Sequence, residues 1–384
     1  MKVQPRLSSE VQHTDSHSST AKMNKDECRQ NQKIILNKPC FLRNLNPVDS
    51  RASPAIIPPD VRTTDFHYDL PEELIASRPL EDRAASRMMV IDRATQTVSH
   101  HHFRDFPDLL PPDHLLVLND TRVIPARVFS NDGKIELVRT DAPDPSNWWC
   151  LVRPGKKMKP GRTVEVGNSL GTVIETNEKG ERLIRWDTPP DLDEVGQLAL
   201  PHYMEREPEK ADRERYQTVY AKEEGAIAAP TAGLHFTPEL LSGLDHTFLT
   251  LHVGVGTFRP VKAEDPRDHD MHSERYHLSS EAAQKMNAAP KIAAVGTTVT
   301  RVLEHLANDE KHFEETSGAT DIFIYPPYQM KAVDTLLTNF HLPCSTLMML
   351  VSAFASRDLI LEAYREAVTE KYRFYSYGDC MLIL

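Results

Sequence analysis

The chain has 384 residues, of which 40% are hydrophobic and 26% charged, with a net charge of −11. That composition supports a large core and excludes global disorder, and the longest apolar run, Leu347 to Ala355, is far too short to span a bilayer. The acidic balance argues against a generic nucleic-acid binder, though not against one with a local basic face, because affinity comes from the cations near the phosphates.

The charge is uneven: residues 1–62 carry +4 and the remainder −15. These first residues are dominated by Ser, Asn, Gln, Asp and Lys with no sustained period, which predicts a disordered N-terminal extension. Met1 to Glu10 lacks the apolar stretch of a signal peptide. The cysteines Cys28, Cys40, Cys150, Cys344 and Cys380 are scattered without a Cys-x-x-Cys pair, which disfavours a disulfide framework and a Cys-rich zinc site. A soluble, cytoplasmic protein with no membrane partner is expected.

From Asp65 onward the chain is patterned. Asp69 to Ile75 reads as a short helix with acids in its first turn. Arg87–Ile91 and Thr97–His102 read as strands, and Leu115–Leu118 as a buried strand that ends abruptly in Asn119-Asp120-Thr121-Arg122. Strand candidates then follow at close spacing: Thr121–Phe129, Lys134–Val138, Trp148–Val152, Thr163–Val166, Gly171–Glu175 and Arg182–Trp186. Turns rich in Asp, Asn, Gly and Pro separate them, predicting a small antiparallel barrel. After Leu200, Phe248–Val253, Lys291–Val295 and Asp321–Tyr325 read as strands. Thr298–Ala307 reads as a helix with Val299, Val302, Leu303 and Leu306 on one face, and Leu359, Ile360, Ala363, Tyr364 and Ala367 mark another helical face. The expected architecture is an α/β domain with an inserted β-barrel: residues 1–62 an extension, 63–120 the first part of the α/β domain, 121–200 the barrel, and 201–384 the second part.

In α/β sheets ligands gather at the carboxyl ends of strands. Three such ends carry small or polar residues: Asn119 to Arg122, Gly254 to Thr257, and Gly296-Thr297-Thr298 before a helix. Thr297 or Thr298 can cap that helix, and its free N–H groups can attract a carboxylate or phosphate; an ordinary N-cap explains the string equally. The Gly254-Val255-Gly256 string lacks the third glycine of a dinucleotide fingerprint, and no Walker A string exists. Among 17 histidines, His100-His101-His102 alternates across a strand and cannot easily converge on a metal. His269, His272 and Glu274 have donors suited to zinc or iron, but an acid–base cluster is the favoured reading. His252, in an apolar strand, reads as a core histidine or a functional one. Arg153, Lys156, Lys157, Lys159 and Arg162 crowd a Gly- and Pro-rich loop, either a solvated hairpin or a phosphate-contacting loop.

The strings go further than composition. Val117-Leu118-Asn119-Asp120-Thr121-Arg122-Val123-Ile124-Pro125-Ala126-Arg127 is one; Ala228-Ala229-Pro230-Thr231-Ala232-Gly233-Leu234-His235-Phe236-Thr237 is another. Leu251 to Phe258, Met271-His272-Ser273-Glu274, Val295 to Thr298, Phe323 to Pro326, Thr338-Asn339-Phe340-His341-Leu342-Pro343 and Glu370 to Asp379 complete the set. In order, from about Val61 to the end, they resemble the S-adenosylmethionine:tRNA ribosyltransferase-isomerase family of queuosine biosynthesis. His202 and Cys380 depart from the usual residues, and residues 1–62 have no counterpart.

The resemblance implies an α/β domain joined to a small barrel. It implies a transferase that moves and isomerises the ribosyl part of S-adenosylmethionine, its co-substrate. The acceptor is tRNA carrying 7-aminomethyl-7-deazaguanine at the wobble position; the product is epoxyqueuosine, with adenine and methionine released. No metal is implied, and a monomer is expected. The sulfonium acidifies the adjacent ribose C–H, adenine leaves more easily when protonated, and the acceptor amine must lose a proton, so several proton carriers are needed. Candidates are Asp120, His235, His252, His272 and Glu274, with His252 and Glu274 favoured as carriers and Asp120 as a ribose or amine binder. Asn119, Thr121, Arg122, Thr231, Gly254, Gly256, Thr297, Thr298, Asn339 and His341 are expected to bind substrate, and the basic loop tRNA. An S-adenosylmethionine-dependent RNA methyltransferase is the alternative.

Overall fold

The computed structural model describes residues 61–254, 256, 261, 263–308 and 310–384. The expected N-terminal extension therefore lies, up to residue 60, outside the described residues.

Seventeen strands are described. In chain order they begin with β1 (Arg87–Asp92), β2 (Thr97–His102), β3 (His114–Asn119) and β4 (Thr121–Val123). Six follow in close succession: β5 (Arg127–Phe129), β6 (Glu136–Asp144), β7 (Asn147–Arg153), β8 (Thr163–Val166), β9 (Ser169–Thr176) and β10 (Arg182–Trp186). Then come β11 (Glu223–Ala226), β12 (His246–Leu251), β13 (Glu274–Leu278), β14 (Lys291–Val295), β15 (Thr316–Thr320), β16 (Thr335–Asn339) and β17 (Cys380–Ile383).

Nine of them form one mixed sheet in the order β15-β13-β12-β3-β14-β16-β17-β1-β2. Its centre is parallel, β3 lying between β12 and β14. Its margins are antiparallel, through β13 with β15 and β1 with β2. Successive residues of β3 feed opposite faces, as the two-residue period of a strand requires. Leu115 and Val117 enter one apolar cluster with Val299, Val302 and Leu303 of the helix Thr297–Leu306. Leu116 and Leu118 enter another with Phe103, Phe106 and Phe236. Covering both faces is what lets a parallel centre survive, because such strands are apolar on both sides.

β5 to β10 form a six-stranded antiparallel sheet in the order β5-β6-β7-β10-β9-β8. Its two edges nearly meet: Asn131 N–H donates to the Glu165 carbonyl at 2.9 Å, and Gly167 N–H to Asn131 Oδ1 at 2.8 Å. The enclosed core holds Trp148, Cys150, Val152, Val164, Ile184 and Trp186, with the two indoles 5.3 Å apart.

Three sequence expectations change. The run Thr121–Phe129 is two strands, and β4 leaves the barrel to pair in parallel with β11. Pro125 divides them, lacking the N–H a continuous ladder needs. Asp321–Tyr325 is not a strand. The pairing with β13 ends at Thr320, the Ile322 carbonyl is taken by Arg301 Nε at 3.2 Å, and Ile324 is buried in the core without a ladder. The helix expected near Asp69–Ile75 is a single 3-10 turn at Glu72–Leu74.

Among the described residues no helix is long and apolar enough to cross a membrane.

Candidate active site

The carboxyl ends of β3 and β12 meet under a groove of about 360 Å³ that separates the mixed sheet from the outer face of the barrel. The sheet side supplies His252, Gly254, Gly256, His272 and Glu274, and the barrel side Asp141, Trp149 and Leu151. Arg275 spans the two walls, its guanidinium 2.6 Å from Asp141.

His252 is held tightly. Its Nδ1 lies 2.8 Å from Thr121 Oγ1, and that hydroxyl also faces the Glu223 carbonyl at 3.4 Å. Gly225 backs the ring: at its φ of 149° it has no Cβ, and one would sit 2.8 Å from Nδ1. Burial lowers the His252 pKa below the ordinary imidazole value, and the Arg275 cation lowers it further. At neutral pH the ring is therefore uncharged and can accept a proton. His272 packs against Gly256 so closely that a Cβ there would fall 2.1 Å from its ring.

Glu274 is 5% exposed, and both its oxygens are engaged. Gly254 N–H donates to Oε1 at 3.0 Å, and the buried Arg301 guanidinium reaches Oε2 at 2.5 Å. Such a carboxylate is fixed in place by a charge-assisted bond. Arg301 was invisible to sequence reasoning because an arginine on an amphipathic helix ordinarily reads as solvated.

The remaining sequence candidates separate. Asn119 braces the strand ends: its Nδ2 donates to the Leu251 carbonyl at 2.9 Å, and its Oδ1 accepts from Leu251 N–H at 3.0 Å and Thr121 N–H at 3.1 Å. Asp120, next in sequence, accepts from Thr250 Oγ1 at 2.6 Å and does not line the groove. Burial raises its pKa. Arg122 is exposed, with Glu224 3.7 Å away.

Thr231, Thr297, Thr298, Asn339 and His341 line a smaller cavity of about 80 Å³. Val253 lines both this cavity and the groove, so the two share a wall. Neither Thr297 nor Thr298 is the cap of its helix: Gly296 holds that position at φ 92°, with no side-chain cap, and both threonines lie within the first turn. Thr298 Oγ1 is buried with no hydrogen-bond partner among the described residues. Burial pushes His341 down to about 3. His235 lies deeper, its Nδ1 3.0 Å from Ser86 Oγ and its ring against Phe103 and beside Asn339; burial pushes it down to about 4. It lines neither recess.

The basic loop leaves the end of β7. Arg153, Lys156, Lys157, Lys159 and Arg162 are all exposed, while Met158 anchors the loop in the barrel core. Arg153 faces a third recess, of about 670 Å³, with His202. His269 packs on the Phe323 ring. Among the described residues no three His, Cys, Asp or Glu side chains group as metal ligands would.

Residues 63–383 match the model of a family described as queuosine biosynthesis protein. A relative from Symbiobacterium thermophilum named S-adenosylmethionine:tRNA ribosyltransferase-isomerase is 50% identical over 343 residues, covering 84% of this chain and all of its own. One of the same name from Clostridioides difficile is 49% identical, with the same coverage. A solved structure of S-adenosylmethionine tRNA ribosyltransferase from Thermotoga maritima is 38% identical and covers 83% of this chain and 100% of its own, with a TM-score of 0.48. On the family match and the near-complete relatives together, this chain belongs to the queuosine biosynthesis protein family.

Proposed function

We propose that the protein transfers the ribosyl part of S-adenosylmethionine to tRNA carrying 7-aminomethyl-7-deazaguanine at the wobble position, isomerises it to epoxyqueuosine, and releases adenine and methionine. One observation carries this reading: relatives bearing that enzyme name share about half their residues with this chain along their whole length. The groove supplies chemistry of the right kind. His252 is the proton carrier, neutral at pH 7 and oriented by Thr121. His272 is a second carrier on the same wall. Glu274 acts by position: paired with Arg301, it fixes the Gly254 backbone on the sheet side of the groove.

S-Adenosylmethionine fits the pair of recesses in chemical terms. The cavity offers the amino end of a helix and the unpartnered Thr298 hydroxyl, which suit a carboxylate. The groove offers room for the ribose beside the imidazoles. Asp120 and His235, away from both recesses, support the strand ends and the cavity wall and do not touch substrate.

The decisive test uses co-substrate labelled separately in ribose and methyl. Ribose label should enter the RNA, with adenine and methionine released together. Methyl label in the RNA would sink this reading and promote a methyltransferase.

The basic loop contacts tRNA phosphates. Reversing Lys156, Lys157 and Lys159 to Glu should weaken tRNA binding and reduce the steepness of its salt dependence, by roughly 0.7–0.9 in slope per lost contact. Binding of S-adenosylmethionine should not change. Unaltered tRNA affinity at moderate salt would move the RNA face elsewhere, towards Lys371 and Arg373.

A further inference from the structure

The outer face of β7 supplies part of the barrel's wall of the groove, beside Thr140 and Asp141 of β6 and Asn177, Lys179 and Glu181 of the β9–β10 connection. Trp148, Cys150 and Val152 point into the barrel core, so Trp149, Leu151 and Arg153 form the outward row. Trp148 and Trp186 are each 2% exposed. Trp149 is different: it is half-buried, belongs to none of the apolar clusters among the described residues, and lies on the groove wall with Leu151. A large flat indole on the outer face of a small barrel, opposite two imidazoles, is a poor choice for contact with water. It is a good one for a flat ring, because stacking needs only a π-face and tolerates varied chemistry.

The same outward row connects groove and loop. From Trp149 to Arg153 along the strand is about 13 Å, and there the basic loop begins. RNA held by that loop and lying along the barrel reaches the groove from the Trp149 side. S-Adenosylmethionine, in the proposed function, enters from the Gly254 and Thr298 side. The two substrates thus approach from opposite walls.

We propose that Trp149 is the stacking platform for the ring of the RNA base on which the enzyme acts, so that the barrel supplies one wall of a base slot and the His252 side the other. This rests on the proposed ribosyl transfer to a tRNA base. The indole holds the ring flat against the barrel, which directs the edge of the base, and the amine it carries, across the groove towards His252.

The test compares Trp149→Ala and Trp149→Phe in the full chain. The RNA probes are tRNA with 7-aminomethyl-7-deazaguanine at the wobble position and the same tRNA abasic there. Affinity for each is measured by filter binding, beside KM, kcat, S-adenosylmethionine affinity and melting temperature. Trp149→Ala should weaken binding of the base-bearing tRNA and raise its KM by roughly tenfold to a hundredfold. Trp149→Phe should recover most of that. Neither change should move S-adenosylmethionine affinity, and the penalty should vanish on abasic tRNA. An equal penalty on abasic tRNA, or a loss confined to S-adenosylmethionine binding, overturns the proposal. So does unchanged tRNA affinity, or a fall in melting temperature large enough to explain the loss in both variants. Binding is read without turnover. If the wild type binds the tRNA but transfers no ribosyl label, the proposed activity fails while the stacking result still stands or falls by itself.

Discussion

Replacing His252 by alanine should lower kcat by roughly 10²–10⁴-fold, the usual loss for a positioned acid–base group, with little change in melting temperature. The argument begins with the tautomer. A run of donors from Nδ1–H to Thr121 Oγ1, and from that hydroxyl to the Glu223 carbonyl, leaves Nε2 without a proton and able to accept one. Thr121→Val should therefore impair kcat more than KM, because the ring stays but its proton is no longer directed. Protonation state follows from the environment: burial first, and then Arg275, hold the imidazole below its ordinary value. A base works while deprotonated, so activity should persist down through pH 6.5 and fall only below it, on an acid limb set by the depressed pKa. Arg275→Gln removes the nearby cation and should move that limb upward. The measurement is kcat/KM against pH for both proteins. A fully active His252→Ala variant, or an acid limb indifferent to Arg275, would falsify the assignment.

Much of this site was legible in the sequence, though unevenly. The strand ends are legible because β3 and β14 are short apolar runs that stop in polar or glycine-rich strings. What the strings concealed was direction. Asn119 and Asp120 are neighbours in sequence, yet one is bonded to β12 backbone beside His252 and the other to the Thr250 hydroxyl. Period-two alternation could have separated them, had the register of β3 been fixed. The barrel was legible from closely spaced turns, and Pro125 was the available sign that its first strand begins later, at Arg127. Trp149 could be read as outward from the alternation with Trp148 and Cys150, but not that the mixed sheet stands opposite. Tertiary pairing decides such matters, and no local period encodes it. The Glu274–Arg301 bond, between residues 27 apart, is of the same kind.

Arg301→Met should destabilise the protein by about 3–5 kcal/mol, the cost typical of leaving one partner of a buried ion pair uncompensated. Arg301 and Glu274 are each 5% exposed, so solvent cannot take over the lost interaction. The guanidinium ties three parts of the fold together: the helix Thr297–Leu306 that carries it, the start of β13 through Glu274, and the segment after β15 through the Ile322 carbonyl. Glu274 in turn receives Gly254 N–H, so loosening the pair should also loosen the backbone that follows β12 and lower turnover. The size of the effect comes from the orphaned charge and not from the net worth of the pair, since a buried pair gains little over an apolar substitute once desolvation is counted. The double variant Glu274→Gln with Arg301→Met should therefore be more stable than Arg301→Met alone, although it has lost more of the native bond. Denaturant midpoints at pH 7 for the wild type, both single variants and the double close the cycle. A loss below about 1 kcal/mol for Arg301→Met, in the range of exposed pairs, would show that water reaches Glu274 and that the pair does not hold the fold as a buried one.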